Sequence, residues 1–125
     1  MAKIGTAFQG TWMDTHLWVV ISEPTSGGEV LCVNLTDSKN YPESTCHLAI
    51  GDHEFITKPS AIVYKSKGLK LWSVTALQNS IDSQMVRQYD DFKPEIIKRI
   101  IEGAFASDDM PPFRLALIKP FLVSN

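Results

Sequence analysis

The sequence predicts a mainly β structure with some helix: a small, mostly antiparallel β-barrel with a C-terminal amphipathic helix. Before Asn79, short runs of β-branched and apolar residues alternate with turns rich in glycine and proline, as in small barrels and sandwiches. After Asn79, apolar residues recur at the spacing of one helix face. The chain has 125 residues, and this length suits a single domain spanning 1–125.

Five segments have the composition of strands: 16–22, 29–36, 46–50, 60–65 and 70–77. The first two flank Pro24, Gly27 and Gly28, and this turn chemistry predicts an antiparallel hairpin. Gly51 ends the third strand. Residues 1–15 show no periodicity, so we expect an arm that leads into the first strand.

An amphipathic helix is predicted at about 93–106. Pro94 suits the first helical turn, where a missing N–H costs nothing. Glu95 lies four residues before Arg99, which supports an exposed face. Residues 82–89 are a candidate for a second, shorter helix. The apolar stripe consists of Phe92, Ile96, Ile97, Ile100, Ile101, Ala104 and Phe105.

The tail 107–125 is open to two interpretations. Pro111 or Pro112 can begin a helix, but Pro120 would end it after a short run. The apolar residues of the tail either form an interface with a partner or with a second copy of the chain, or complete the protein's own core. They are Phe113, Leu115, Leu117, Ile118, Phe121 and Leu122. A homodimer is therefore one expectation.

The net charge of -2 excludes a general attraction of the whole molecule to nucleic acid or anionic membranes. Any such binding needs a local patch. The basic cluster Lys58, Lys65, Lys67 and Lys70 lies in a segment without acidic residues, beside Tyr64 and Trp72. Lysines near aromatic rings suit single-stranded nucleic acid. The same lysines on a solvated strand edge would protect it from aggregation, and both alternatives stay open.

The two cysteines indicate a reducing compartment. Cys32 lies inside an apolar strand pattern, and two cysteines do not make a disulfide scaffold. The N-terminal segment lacks the apolar stretch of a signal peptide, and no apolar run approaches the ~18 residues of a membrane span. We expect a soluble, cytoplasmic protein that does not bind membranes.

Alternation along the strands separates core positions from a polar surface. One face is entirely apolar and must be core: Leu17, Val19, Ile21, Leu31, Val33 and Leu35. If the register permits, His16, Asn34, Thr36, Ser60 and Tyr64 meet at one end of the sheet. The alternative is that these polar groups only satisfy one another where the strands end.

Residues 48–64 concentrate side chains that can move protons and hold an anion: Asp52, His53, Lys58, Ser60 and Tyr64. An imidazole gains and loses a proton near neutral pH, so His53, oriented by Asp52, would serve as a general acid or base. The alternative is a tight turn in which Asp52 accepts a backbone hydrogen bond and His53 is solvated.

A metal site is the less favoured alternative. Cys46, His47, His53 and His16 have ligand chemistry. Adjacent residues in a strand point to opposite faces, so Cys46 and His47 cannot easily share one ion. We expect neither a metal nor another cofactor.

Three segments resemble elements of the PemK/MazF-like toxins, small SH3-like barrels that cleave RNA without a metal. Segment 16–22 (HLWVVIS) resembles the family's first, Arg-Pro-led strand. Segment 33–37 (VNLTD) resembles the end of the second strand, and 48–64 a later element. The resemblance spans about residues 10–105 in short, degenerate motifs, and the C-terminal helix is compatible with it. Thr36 matches the family's functional threonine.

The resemblance implies the toxin of a toxin–antitoxin system: a hydrolase acting as a metal-independent endoribonuclease on single-stranded RNA, with a cognate antitoxin as partner. The family's catalytic arginine would fall at Thr15 or His16, and the arginines of this chain lie elsewhere, at Arg87, Arg99 and Arg114. Either His16 or His53 replaces that arginine, or the barrel binds RNA or a protein partner without catalysis.

The residues expected to act therefore fall into two groups. The catalytic group transfers protons and contacts the phosphate, and consists of His16, Thr36, His53 and Ser60. The substrate-binding group consists of Asn34, Asp52, Lys58, Tyr64 and Lys65.

Overall fold

A computed structural model of the protein describes residues 1–10 and 15–118. Within these residues the chain forms seven strands and three α-helices. The strands are β1 Ala7–Gly10, β2 Trp18–Val20, β3 Glu29–Asp37, β4 His47–Leu48, β5 Ser60–Ile62, β6 Leu69–Ser73 and β7 Val86–Tyr89. The helices are α1 Val74–Asp82, α2 Pro94–Ala106 and α3 Pro112–Leu115.

The long strand β3 organises the sheet. One edge of β3 pairs with β2, while the other edge pairs first with β6, over residues 29–33, and then with β5, over residues 35–37. All of these pairings are antiparallel, and the strand order is β4-β5-β3-β2-β1-β7, with β6 also on β3. The predicted mostly antiparallel sheet with a C-terminal helix is confirmed, and its arrangement is consistent with a small barrel-like fold.

The predicted hairpin and the predicted main helix are both present. β2 and β3 pair in the register Val19↔Val33, and Gly28 adopts a φ of 77° in the turn that joins them. That left-handed conformation suits glycine, which has no Cβ to clash. The helix α2 has Pro94 at its first position, as expected.

Three local assignments were wrong, at least in part. The predicted strand 70–77 stops at Ser73, whose Oγ accepts from the Ala76 N–H at 3.2 Å and caps α1. The predicted helix 82–89 is instead the end of α1 followed by β7. The N-terminal arm was also wrong in part, because β1 forms there by pairing with β2 and β7.

Apolar side chains fill both faces of the sheet. The predicted core face is confirmed: Leu17, Val19, Ile21, Leu31, Val33 and Leu35 are buried in one cluster. The same cluster contains the predicted helical stripe except for one residue: Phe92, Ile96, Ile97, Ile100, Ile101 and Ala104. The exception is Phe105, which was expected on the buried face and is 43 % exposed. A second cluster on the opposite face lies beneath α1 and was not predicted. It contains Ala2, Phe8, Trp18, Val20, Val30, Cys32, Leu77 and Val86.

The C-terminal tail contributes to the protein's own core. Ile118 is buried in the main cluster, and Leu115 packs partly against it. Phe113 remains 66 % exposed. Phe121 and Leu122, which belonged to the same expectation, lie outside the described residues.

A close contact between α2 and the strand region sets the position of that helix. A Cβ on Gly103 would lie 2.3 Å from the Tyr64 hydroxyl oxygen and 2.9 Å from the Cβ of Cys46. The Tyr64 hydroxyl donates to the Ile100 carbonyl at 2.7 Å, and the Thr45 hydroxyl donates to the Gly103 carbonyl at 2.6 Å. The helix can approach this closely only because residue 103 has no side chain.

Replacing Ile97 or Ile100 by alanine should lower the free energy of unfolding by about 2–5 kcal/mol, because each removes a buried side chain and leaves a cavity. Both residues are almost fully buried, at 2 % and 0 % exposure. Chemical denaturation measures the change, with the exposed Lys98→Ala on the same helix as the control. Unchanged unfolding curves for both isoleucine variants would show that α2 does not pack as described.

Gly103→Ala should destabilise the protein even though alanine favours a helix by about 1 kcal/mol over glycine, because the added methyl group meets the Tyr64 hydroxyl. Tyr64→Phe removes that hydroxyl, so the cost of Gly103→Ala should be smaller in the Tyr64→Phe background. A double-mutant cycle from denaturation curves measures this coupling. An equal cost in both backgrounds would contradict the proposed contact.

Candidate functional site

Two adjoining cavities open where the C-terminal half of β3 meets the start of β2. The Lys58 cavity, of about 320 Å³, is lined by Thr15, His16, Leu35, Thr36, Asp37, Asn40, Phe55, Thr57, Lys58 and Ser60. The Lys65 cavity, of about 310 Å³, is lined by His16, Asn34, Thr36, Asn40, Tyr41, Val63, Lys65 and Lys67. His16, Thr36 and Asn40 line both, so we treat the two cavities as one groove.

Strand register explains why these side chains share a surface. In β3, Asn34 and Thr36 alternate with the core residues Val33 and Leu35, so they face away from the main core. β5 pairs with β3 in the register Asp37↔Ser60, which brings Ser60 beside the same strand end. The structure therefore brings together four of the five polar residues expected to meet there: His16, Asn34, Thr36 and Ser60.

His16 is oriented by the backbone of β3. Its Nδ1 lies 2.9 Å from the carbonyl oxygen of Leu35. A carbonyl only accepts, so Nδ1 carries the hydrogen, and in the neutral ring Nε2 carries the lone pair.

Lysines give the groove its positive charge. Lys58 pairs with Asp37 at 3.1 Å, and Lys65 pairs with Glu43 at 3.4 Å. Such exposed ion pairs contribute only about 0–1 kcal/mol, so a phosphate can replace either carboxylate. Lys67 makes no ion pair within residues 1–10 and 15–118. The groove can therefore hold an anion, although the net charge of the chain is -2.

Tyr41 forms a fixed wall of the Lys65 cavity. Its side chain is almost fully buried, and its hydroxyl donates to the carboxylate of Asp109. Burial, together with this hydrogen bond, raises the pKa of Tyr41 to about 12. The Lys65 ammonium lies 4.9 Å from the centre of the Tyr41 ring. Tyr41 therefore stays neutral and holds Lys65 over its ring.

Tyr64 and Asp52 lie away from the groove. Tyr64 is fully buried in the main core, where its hydroxyl bonds to Ile100 and its burial raises its pKa. Asp52 accepts from the Ala49 N–H at 2.8 Å and pairs with Arg99 at 3.3 Å. Asp52 thus has the backbone-bonded turn geometry that was the alternative to its orienting His53.

His53 has a structural environment rather than a solvated one. It is buried and stacks on Phe92 at 4.2 Å. Its Nδ1 accepts from the Phe55 N–H at 3.1 Å, and its Nε2 donates to the Asp90 carbonyl at 2.6 Å. Since both ring nitrogens bond to the backbone, this geometry leaves neither positioned to exchange a proton with a ligand in the groove.

The remaining cationic and aromatic candidates lie elsewhere. Lys70 lies over the ring of Trp72, and Trp72 packs against Phe8 in the second apolar cluster. In the described part of the chain, no arginine lines the groove. Arg99 binds Asp52 and the His47 carbonyl, while Arg87 and Arg114 lie over the rings of Tyr89 and Phe113.

The residues considered for a metal do not form a cluster. Cys46 is buried, and burial raises its pKa to about 11. His47 is exposed and bonds to the Ser38 hydroxyl and to the Pro42 carbonyl. Across residues 1–10 and 15–118, no three histidine, cysteine or acidic side chains are placed to hold an ion together.

Several lining residues were not among the expected site residues: Thr15, Asp37, Asn40, Tyr41, Phe55, Thr57 and Lys67. Most lie in loops, where no periodicity indicates which way a side chain points. Lys67 had one signal, its membership of the basic cluster. Tyr41 and Phe55 take the place expected for Tyr64 and Trp72 as aromatic neighbours of the lysines.

The chain matches no family model, no curated protein and no solved structure. No helix in the described ranges combines the length and the apolar character needed to cross a membrane. Function must therefore be inferred from the groove itself.

His53→Ala should lower the free energy of unfolding by about 1–3 kcal/mol, because it leaves the Phe55 N–H and the Asp90 carbonyl without their partner. The matched control is His47→Ala, which removes an exposed histidine and should cost less. Urea denaturation followed by tryptophan fluorescence measures both variants. Equal stability of the two variants would show that the His53 contacts contribute little.

Proposed function

We propose that this protein is a metal-independent endoribonuclease that binds single-stranded RNA in the groove, in the manner of the PemK/MazF-like toxins that its sequence resembles. The observation that carries the proposal is the joint position of His16 and Thr36. The resemblance aligns Thr36 with the family's functional threonine and puts the family's catalytic arginine at Thr15 or His16. Both His16 and Thr36 line the two cavities beside three lysines.

The proposed reaction begins with proton removal by His16. Nε2 takes the proton of a ribose 2′-hydroxyl, and the 2′-oxygen attacks the adjacent phosphorus. The bond from phosphorus to the 5′-oxygen then breaks, and that oxygen takes a proton from an ammonium group of the groove. The products are a 2′,3′-cyclic phosphate and a 5′-hydroxyl, so no metal and no redox partner are required.

Thr36 and Lys58 stabilise the charge that builds up on the phosphate. A hydroxyl and an ammonium group aimed at the phosphate oxygens favour the transition state over the substrate. Ser60 has a positioning role in this proposal, because its hydroxyl donates to the carbonyl of Lys58 at 3.0 Å. Lys65 and Lys67 hold the neighbouring phosphates of the strand.

Binding without cleavage is the second candidate function. It is favoured by one observation: the arginines described by the structure all lie outside the groove. Lysines and aromatic walls are sufficient to bind single-stranded RNA. A protein partner that presents carboxylates would meet the same lysines.

We further propose that the protein acts in the cytoplasm and is inhibited by a cognate antitoxin. The two described cysteines are free and buried, which is compatible with a reducing compartment. Phe113, 66 % exposed, is the residue through which a second copy of the chain or the antitoxin would make an apolar contact.

The decisive test is cleavage of labelled single-stranded RNA by the purified protein in the presence of EDTA. His16→Ala should reduce the rate by about 10²–10⁴-fold, as expected for the loss of a general base. The matched control is His47→Ala, an exposed histidine outside the groove, which should cleave at the wild-type rate. RNA binding by His16→Ala should persist, since the lysines remain.

Lysine variants test the binding surface separately. Lys58→Ala or Lys65→Ala should bind RNA more weakly. The logarithm of the binding constant should also fall less steeply with the logarithm of the salt concentration, by about 0.7 in slope for each lost phosphate contact. Lys98→Ala on α2 is the control.

Suppose that wild type neither cuts RNA nor slows growth when expressed without its neighbouring gene. The catalytic proposal then fails, and binding alone takes its place if the lysine effects persist.

A further inference from the structure

The side chain of Asp109 joins the segment that follows α2 to the wall of the Lys65 cavity. Its carboxylate accepts the hydrogen bond of the Tyr41 hydroxyl, across 68 positions of the sequence. Tyr41 is only 4 % exposed, and a buried hydroxyl without a partner is unfavourable. Because a carboxylate accepts more strongly than a neutral oxygen, this bond is well suited to fix the tyrosine ring.

Both ends of this bond are held by their own neighbours. The Asp109 N–H donates to the Ser107 hydroxyl at 3.2 Å, and the next residue, Met110, is buried in the main core. At the other end, the Tyr41 N–H donates to the Ser38 carbonyl at 3.2 Å. The Tyr41 ring therefore has a fixed place between its own loop and the segment after α2.

Lys65 connects the Tyr41 ring with the groove. Its ammonium lies 4.9 Å from the ring centre, and its side chain is 45 % exposed, so its charge stays open to a phosphate. Its other contact is an ion pair with Glu43 at 3.4 Å, and that carboxylate competes with a phosphate. A lysine held over a ring keeps its charge and has less rotamer freedom to lose on binding. The ring contact therefore prepares Lys65 for a phosphate, whereas the Glu43 contact opposes it.

We propose that Asp109 is a positioning residue of the RNA-binding groove: through Tyr41 it holds Lys65 where a phosphate of single-stranded RNA binds. This inference rests on the proposed function, because it takes the phosphate at Lys65 to belong to RNA. None of the described residues after α2 lines either cavity. The segment after α2 thus acts on the groove only through the contact between Asp109 and Tyr41.

The direction of the effect distinguishes positioning from simple electrostatics. Removing a carboxylate near a bound polyanion should strengthen binding, because like charges repel. Asp109→Ala should instead weaken RNA binding by about two- to fivefold, the size of an exposed cation–π contact. Two matched controls, Asp108→Ala at the neighbouring exposed carboxylate and Glu43→Ala at the competing one, should leave binding unchanged or strengthen it.

The first measurement is the affinity for an uncleavable 2′-O-methyl hexanucleotide, by fluorescence anisotropy. Tyr41→Phe keeps the ring and removes the hydroxyl, so it should weaken binding as Asp109→Ala does. The double variant, which leaves no buried hydroxyl unpaired, should bind no more weakly than either single variant. In a Lys65→Ala background, Asp109→Ala should have no further effect. Unchanged or stronger binding by Asp109→Ala, or an equal loss without Lys65, overturns the proposal.

A second measurement needs no RNA. The Tyr41 ring shields the ε-methylene protons of Lys65, and NMR of the lysine-labelled protein reads this as an upfield shift. The shift should shrink in Asp109→Ala and persist in Asp108→Ala. If it shrinks but wild type binds no RNA, the proposed function fails, and the role of Asp109 in RNA binding fails with it. If wild type binds RNA and Asp109→Ala changes neither shift nor affinity, only the positioning role fails.

Discussion

The antiparallel pairing of β3 with three neighbours is the constraint on which the groove depends. Leu31, Val33 and Leu35 must face the main core, and a shift of one residue would turn the apolar set outward. The same register turns Asn34 and Thr36 to the opposite side. Beside these two residues, the pairing partner along one edge of β3 changes from β6 to β5. Core packing, rather than any interaction within the groove, therefore decides which polar side chains line it.

Two histidines of this chain are held by backbone groups in different surroundings. His53 has both ring nitrogens bonded to backbone groups, so its ring fastens the loop after Gly51 to the strand region that ends near Asp90. His16 has Nδ1 bonded to a carbonyl of β3 and lies in the wall of both cavities. The same side chain thus joins two parts of the backbone at position 53 and lines the groove at position 16.

The groove combines features that a purely structural surface would not need. Lysines gather there although the chain is slightly acidic overall, and exposed carboxylates that pair with them can be displaced at little cost. Beside them, Asn34 keeps a buried acceptor without a hydrogen-bond partner, although buried polar atoms are usually paired. Local conflicts of this kind are expected where function competes with stability.

The sequence by itself determined the local patterns: the apolar face of β2 and β3, the hairpin at Gly28, the stripe of α2, and the shared face of Asn34 and Thr36. Periodicity carries these, because it depends only on neighbours along the chain. Tertiary structure alone decided that β1 pairs with β7, that His53 and Tyr64 are enclosed, and that Tyr41 reaches the Lys65 cavity. Each of these features depends on contacts with residues far away in sequence. Propensity and turn chemistry describe only neighbouring residues, so they do not predict such contacts.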